Sequence, residues 1–515
     1  MLILSNEATE SIIVQLSRLQ KFSLVLLTLL TLLFISRKGL MAGDFDEYVL
    51  MTVAVANHVT PEIRSQDIVQ AKQLLPQHAT RFDELAEGMQ TQAPVPKYGY
   101  YRASNGEVFA SHFFAYSAVA ALPYLLFEQI GIAPSDCLYF LNLACVFILG
   151  ICLFRFFDSA WKAAFGLLLF ASCGGLNYVL WSSPECMSAA LLCAGLILFA
   201  LESPIIAGML IGLASTQNPP IVFALGLAPL FKLILTDEVN ASFVTRLRSV
   251  FTKRLLLGLT LGSVLFLAPI VFNYWAFGVH SVIARDSTST AFISWIRLHS
   301  FFFDVNQGMI IGALGIWLGL AWQVLTSTQA EKWRSFFLLI LACGLSCLFA
   351  LTSLVAGNWN SAAIGMMRYA FWGAMPFLFV FLVLLRKQVA WDRPLLLTCL
   401  LIQTLGVASA IQYRYLEHSP LAKFLLTHSP SVYNPEIEIF AERSRHQDGI
   451  SLDKNSFYAF DLQGQHHKIL AHRDNKHLAI QLCGTQKIDL SALPTRDAGN
   501  GWFYINGAMS CRAQE

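Results

Sequence analysis

The sequence predicts a mainly α, polytopic membrane protein of about eleven transmembrane helices, with a long first extracytoplasmic loop and a small, partly β domain at its C-terminal end. Three observations carry that prediction. The 515 residues are 56% hydrophobic and only 13% charged, where soluble domains carry about 25% charged residues. Lipid is therefore the expected solvent for much of the surface. Apolar runs recur as far as residue 411, and beyond it the composition turns polar with strand-like alternation. A net charge of +2, no basic stripe and no zinc-finger spacing give no sign of a nucleic-acid partner.

The first run, residues 22–36 (FSLVLLTLLTLLFIS), is flanked by Lys21 and by Arg37-Lys38. A signal peptide is the competing reading. The long segment ahead of the run and the lack of an A-x-A site after it favour an uncleaved first span. Residues 37–108 are polar and read as the first loop, with PEIRSQDIVQAKQLLPQHATRFDELAEGM as short amphipathic helices. Apolar runs follow at 109–131, 137–154, 163–180, 187–201, 205–236, 258–278, 307–325, 335–356, 370–386 and 394–411. Some fall short of the roughly 20 residues that cross a bilayer upright. Cys137, Cys145, Cys152, Cys173, Cys186, Cys193, Cys343, Cys347 and Cys399 lie in or beside these runs and read as small buried hydrophobes. Cys483 and Cys511 sit in polar sequence and are the disulfide candidates if that region faces an oxidising compartment.

Positive charge sets the expected orientation. RLRSVFTKR (246–254), EKWR (331–334) and RKQVAWDR (386–393) read as cytoplasmic. That places 279–306, 357–369 and everything after 412 outside. Taking 205–236 as one span puts loop 37–108 outside as well; a split at TQNPP (216–220) would flip every earlier loop. Past residue 411, YAFDLQGQHHKILAH reads as a hairpin around Gln463-Gly464, and HLAIQLCGTQKIDL and GWFYING as further strands. The expected domains are thus 1–411 in the membrane, loop 37–108 included, and 412–515 outside it.

On the outer face the first loop opens with Asp44, Asp46, Glu47 and Tyr48 and closes with Lys97, Arg102 and His112. The loop at 279–306 adds Arg297, Asp304 and Asn306, and that at 357–369 adds Arg368 and Tyr369. An acid beside an acceptor hydroxyl or amine is the chemistry of a general base. Arginine and lysine beside it bind phosphate. Aromatics there stack on a sugar or an isoprenoid, or simply form the interfacial belt.

The G-D-x-x-x-Y stretch straight after the first span resembles the start of GT-C-fold glycosyltransferases, the polytopic enzymes similar to protein O-mannosyltransferases and the lipid A aminoarabinose transferase. GYYRASNGEVFASHFFAYSAVAALPYLLF is similar to that family's junction between the first loop and second helix. SFFFDVNQGMI (300–310) and GMMRYAFWGAMPFL (365–378) resemble its D-x-N-x-G loop and G-x-R-Y-x-x-x-x-x-P helix start. The resemblance covers roughly residues 20–411 as a pattern of spans. It departs at Phe113-Phe114, where many members have prolines.

The resemblance implies a catalytic base at Asp44, with Asp46 in reserve. It implies a polyprenyl-phosphate sugar as donor, a lipid, glycan or protein as acceptor, and inversion at the anomeric carbon. Donor phosphate contacts would come from Lys97, Arg102, His112, Arg297, Arg368 and Tyr369, with Glu47, Tyr48, Asp304 and Asn306 as further candidates. The site and the C-terminal domain would face the periplasm from a bacterial inner membrane. No nucleotide-binding domain is needed, and no GxGxxG follows a strand.

Plainer readings compete. The acidic cluster is then a solvated loop, His112 a belt residue, Arg368 a snorkelling helix flank and Asp304 the cap of a helix starting near Gln307. The D-F-D spacing is also a candidate for a divalent cation on Asp44 and Asp46; no other cofactor is implied. Glu185 reads as a helix-start acid favoured by the dipole. Two other functions are a transporter or flippase, for which the TQNPP break is the one sign, and a non-catalytic scaffold.

Overall fold

The computed structural model describes residues 17–235, 243–362, 364–388, 392–413, 415–484 and 493–509. Within it the chain forms two units: Met1–Asp286 with Gly319–Leu348 and Met375–Leu396, and Ser287–Leu318 with Phe349–Ala374 and Leu397–Glu515. Among the described residues, seven helices are long and apolar enough to cross a membrane. They are Arg18–Ser36, Pro134–Phe157, Ala160–Leu180, Lys253–Phe277, Glu331–Ser353, Arg368–Lys387 and Arg393–Ile411. Glu185–Ala200, Pro204–Ser215, Pro219–Leu235 and Ile310–Thr326 are apolar but shorter. Four of the eleven runs expected as spans thus lack a helix of spanning length: 187–201, 205–236 and 307–325, which these helices occupy, and 109–131, where the helix Ala115–Ile130 has 16 residues.

The correction matters most at 205–236, which is two helices and not one. Pro219 and Pro220 lack the amide hydrogens that would continue the first helix, so the chain breaks after Ser215 and restarts. The outward placement of the earlier loops, where it relied on a single span here, loses that support.

Helix α1 (Arg18–Ser36) opens on a capping box, with Gln20 N donating to Ser17 Oγ and Ser17 N to Gln20 Oε1. Leu24, Leu27, Leu29, Leu32 and Ile35 on it are all more than half exposed, a surface suited to lipid. Elsewhere in this unit, small residues let two helices touch. Added β-carbons at Gly208 and Gly212 would strike the backbone of Gly258 and Gly262 respectively. Both helices carry G-x-x-x-G at these positions, a close-packing pattern of membrane helices.

The first loop folds into α2 (Phe45–His58), α3 (Ser65–Leu74), α4 (Ala79–Gln90), the hairpin β1 (Tyr100–Arg102) and β2 (Val108–Ala110), then α5 (Ala115–Ile130). The expected amphipathic helices are α3 and α4. Buried Asp67 accepts from Arg64 N at 2.8 Å, Asn57 at 2.8 Å and His58 at 3.0 Å, which satisfies the start of α3. The apolar run expected from 109 begins as strand: Tyr100, Tyr101 and Arg102 pair antiparallel with Ala110, Phe109 and Val108. Gly106, with φ of 89°, makes the turn that allows it.

The second unit contains α6 (Trp295–Phe303), α7 (Pro420–His428), α8 (Ile437–Arg445), and strands β3 (Phe457–Leu462), β4 (Gln465–His472), β5 (Thr495–Gly499) and β6 (Trp502–Asn506), with α9 (Leu478–Cys483) between β4 and β5. The sheet is antiparallel in the order β3-β4-β6-β5. Its first turn is the one expected, with positive φ at both Gln463 and Gly464. One face packs Tyr458, Phe460, Leu470, Trp502 and Tyr504 against Phe440 and Leu426. The other packs Ile469, Ala471 and Ile505 against Leu478 and Leu482.

The strand expected within HLAIQLCGTQKIDL is instead α9 where it is described; residues 485–492 lie outside the described residues. Leu478 and Leu482 are four apart and both buried, while Ile480 between them is exposed. The same three residues fit strand alternation in sequence, and only packing separates the two periods. Cys483 is disulfide-bonded. Cys511, its expected partner, lies outside the described residues.

Candidate functional site

The start of α2 is held in place from both sides. Leu40 forms a parallel bridge with Trp181, whose indole donates to the Ala42 carbonyl at 3.0 Å. Buried Asn142 donates to the Trp181 carbonyl at 2.8 Å, which fixes the bridge. Gly43 then turns the chain with φ of 67°, and Asp44 becomes the residue flanking the helix. Asp46 and Glu47 fall in the first turn, where the helix dipole favours carboxylates. On the other side Ser117 Oγ donates to the Tyr48 carbonyl at 2.9 Å, and the Tyr48 ring packs against His112 and Tyr116.

His112, between β2 and α5, lies between two of the acids. Its Nδ1 is 2.8 Å from Glu47 Oε2 and its Nε2 is 3.3 Å from Asp44 Oδ2. Ser111 Oγ also donates to Glu47 Oε2 at 3.3 Å. The Glu47 side chain is 10% exposed and that of Asp44 is 41% exposed, so Asp44 is the acid that water or a substrate reaches. Burial pushes the Glu47 carboxyl above its ordinary value, against the opposing pull of His112. Burial alone would lower His112, but the charges of Asp44 and Glu47 and their hydrogen bonds override it and hold it well above its ordinary value. The protonated imidazole is thus favoured between the two acids.

Asp46 does not join it. It faces Arg81, with Nη1 3.3 Å from both carboxylate oxygens. Residues two apart on a helix do not share a face, whereas Asp44 and Glu47, three apart, do. Asp46, the second acid of the expected cation pair, is instead held by Arg81. The ligand atoms that lie within 4.8 Å of one another belong to Asp44, Glu47 and His112.

The other candidates are placed as follows. Lys97 donates to the Arg81 carbonyl at 2.6 Å and pairs with Glu84 at 2.8 Å. Arg102 donates to the carbonyls of Met89, Thr91, Ala93 and Gly106 and staples its own loop. In the second unit Arg297 is buried between the rings of Phe292 and Trp359, bonded to Glu438 and to the carbonyls of Leu354 and Ala356. These three of the six side chains expected on a donor phosphate thus have protein partners. Arg368 stacks its guanidinium 4.8 Å from the Tyr369 ring.

Asp304 accepts from the backbone of Asn306 and Gln307, each at 3.0 Å, and pairs with Arg443 at 2.9 Å. Asn306 accepts from Tyr413 Oη at 2.9 Å through its carbonyl and from Ser419 N through its side chain. These two hold turns together; the helix expected near Gln307 starts at Ile310.

Gly99, Tyr100 and Ser111, all within the stretch GYYRASNGEVFASH, and Arg81 complete the cluster, though none was named as a site residue. Gly99 has φ of 91°, and a β-carbon there would strike the Glu47 carboxylate. Its place between two tyrosines was the one available signal. No known protein family, curated protein or solved structure matches the chain.

Proposed function

We propose that this is a membrane glycosyltransferase, using a polyprenyl-phosphate sugar on the extracytoplasmic face. The observation that carries the reading is the exposed Asp44 carboxylate next to a His112 that Glu47 holds from behind. In this scheme Asp44 takes the proton of an acceptor hydroxyl or amine as it attacks the anomeric carbon. The bond from that carbon to the lipid phosphate oxygen breaks, the phosphate leaves with the electron pair, and one displacement inverts the centre. The His112 imidazolium, fixed by Glu47, keeps the Asp44 carboxylate oriented. The Cys483 disulfide supports an oxidising, extracytoplasmic setting for the second unit.

The test is sugar transfer by the purified protein in detergent from a panel of polyprenyl-phosphate sugars. Asp44→Asn should lower turnover by about 10²–10⁴-fold with an unchanged melting temperature. Equal turnover by Asp44→Asn removes it as the base, and no transfer by the wild type overturns the reading.

A transporter is the second reading, and one observation favours it. The TQNPP break carries no acid of its own. Asn218 in it donates to buried Glu185 at 3.2 Å and to Ser188 at 2.8 Å. A buried acid at a helix break among apolar segments is a common transporter feature. Substrate flux in liposomes without sugar transfer would select this reading.

A further inference from the structure

We propose that Asp44, Glu47 and His112 form a binding site for a divalent first-row transition ion, with zinc the preferred member. Two carboxylates and one imidazole bring ligand atoms within 4.8 Å of one another. Zinc bonds of about 2.0–2.2 Å set ligand atoms about 3.4 Å apart in a tetrahedron. The 3.3 Å between Asp44 Oδ2 and His112 Nε2 already matches one edge. Closing the rest from within 4.8 Å to that edge needs side-chain movements of up to about 1.4 Å.

A second observation is independent of the acids. Tyr100 is only 3% exposed, and its hydroxyl has no hydrogen-bond partner among the described residues. Tyr100 pairs across the hairpin with Ala110, directly before Ser111 and His112, and follows Gly99, where an added β-carbon would strike the Glu47 carboxylate. A buried donor left unsatisfied costs about 1–3 kcal/mol, and a water or hydroxide on the ion would accept from it.

The imidazole sets the preference. Carboxylates alone suit magnesium, calcium and manganese, whereas imidazole favours the later ions such as zinc. On binding, the proton on the coordinating His112 nitrogen leaves to solvent. The site stands whatever reaction the protein performs, because binding is measured without any sugar donor.

The experiment is zinc titration of the full chain in detergent after chelator treatment, with magnesium as the comparison ion. The expected result is one zinc per chain, bound far more tightly than magnesium. His112→Gln and Glu47→Gln should each weaken zinc by at least about tenfold, and Asp46→Asn should not. Tyr100→Phe should weaken it less than either. Should a variant fail to fold, X-ray absorption of the zinc-loaded wild type decides: one imidazole with oxygen ligands supports the site. A sulfur or all-oxygen shell, no zinc retained, or unchanged affinity in folded His112→Gln overturns it.

Discussion

The protein holds two clusters of acid and cation that read alike in sequence and differ in how completely their groups are satisfied. In the first unit, Asp44 is 41% exposed beside His112, and the Tyr100 hydroxyl is buried without a partner. In the second, Asp304 and Arg443 are both almost wholly buried. Tyr433 Oη donates to Asp304 at 2.7 Å, and Arg443 donates to Tyr433 Oη at 2.7 Å and to Gln307 Oε1 at 2.9 Å. A sealed network with its groups paired specifies a fold. An open one with a charge facing water and a donor to spare is a candidate for taking a ligand. Charged residues near a membrane face are thus poor guides to function until their partners are known.

The contrast can be broken, and the largest effect is expected in the sealed network. Arg443→Met leaves Asp304 charged, buried and unpaired, and should cost about 3–5 kcal/mol, read as a lower melting temperature in detergent. The double change Asp304→Asn with Arg443→Met should recover part of it, since an uncompensated charge is what hurts most. Asp44→Asn, by contrast, should leave the melting temperature nearly unmoved. Equal losses at the two sites would erase the distinction.

Reducing the Cys483 disulfide should destabilise by about 2–4 kcal/mol, measured as the melt with and without reductant. Gly99→Ala should cost about 1–2 kcal/mol through its left-handed backbone, and its β-carbon should displace the Glu47 carboxylate. Altered zinc affinity or sugar transfer in that variant, without loss of the second unit's fold, would sharpen the comparison further.

The smallest effect is a pH dependence. Because His112 titrates well above its ordinary value of 6.5 in the folded protein, its contribution is fully present below that value. It is lost as the pH rises through the folded value. Raised Glu47 has the same sign, since the unfolded carboxyl gives up its proton first. Melting temperatures taken in chelator from pH 6 upward should fall, and His112→Gln should flatten that slope.

How far the sequence went differs by feature. Composition and the periodic apolar runs determined a mainly helical chain with helices long and apolar enough to cross a membrane, because a run suited to lipid leaves its signal in every residue. The hairpin at Gln463-Gly464 and the amphipathic helices α3 and α4 were legible for the same reason: turn chemistry and periodicity are local. Pro219-Pro220 announced the break, but which helices flank it, and that Asn218 reaches Glu185, were not written there.

The acids of GDFDEY were visible, but not their division of labour. One helix turn sends Asp46 to Arg81 and Glu47 to His112, 65 residues away. Lys97, Arg102 and Arg297 looked like phosphate ligands until their carbonyl and carboxylate partners appeared. Leu478, Ile480 and Leu482 fit two periods until burial chose one. Local pattern is set by the chain's own geometry, whereas the partner of a charged side chain is set by whatever the fold brings beside it, and only the tertiary structure decides that.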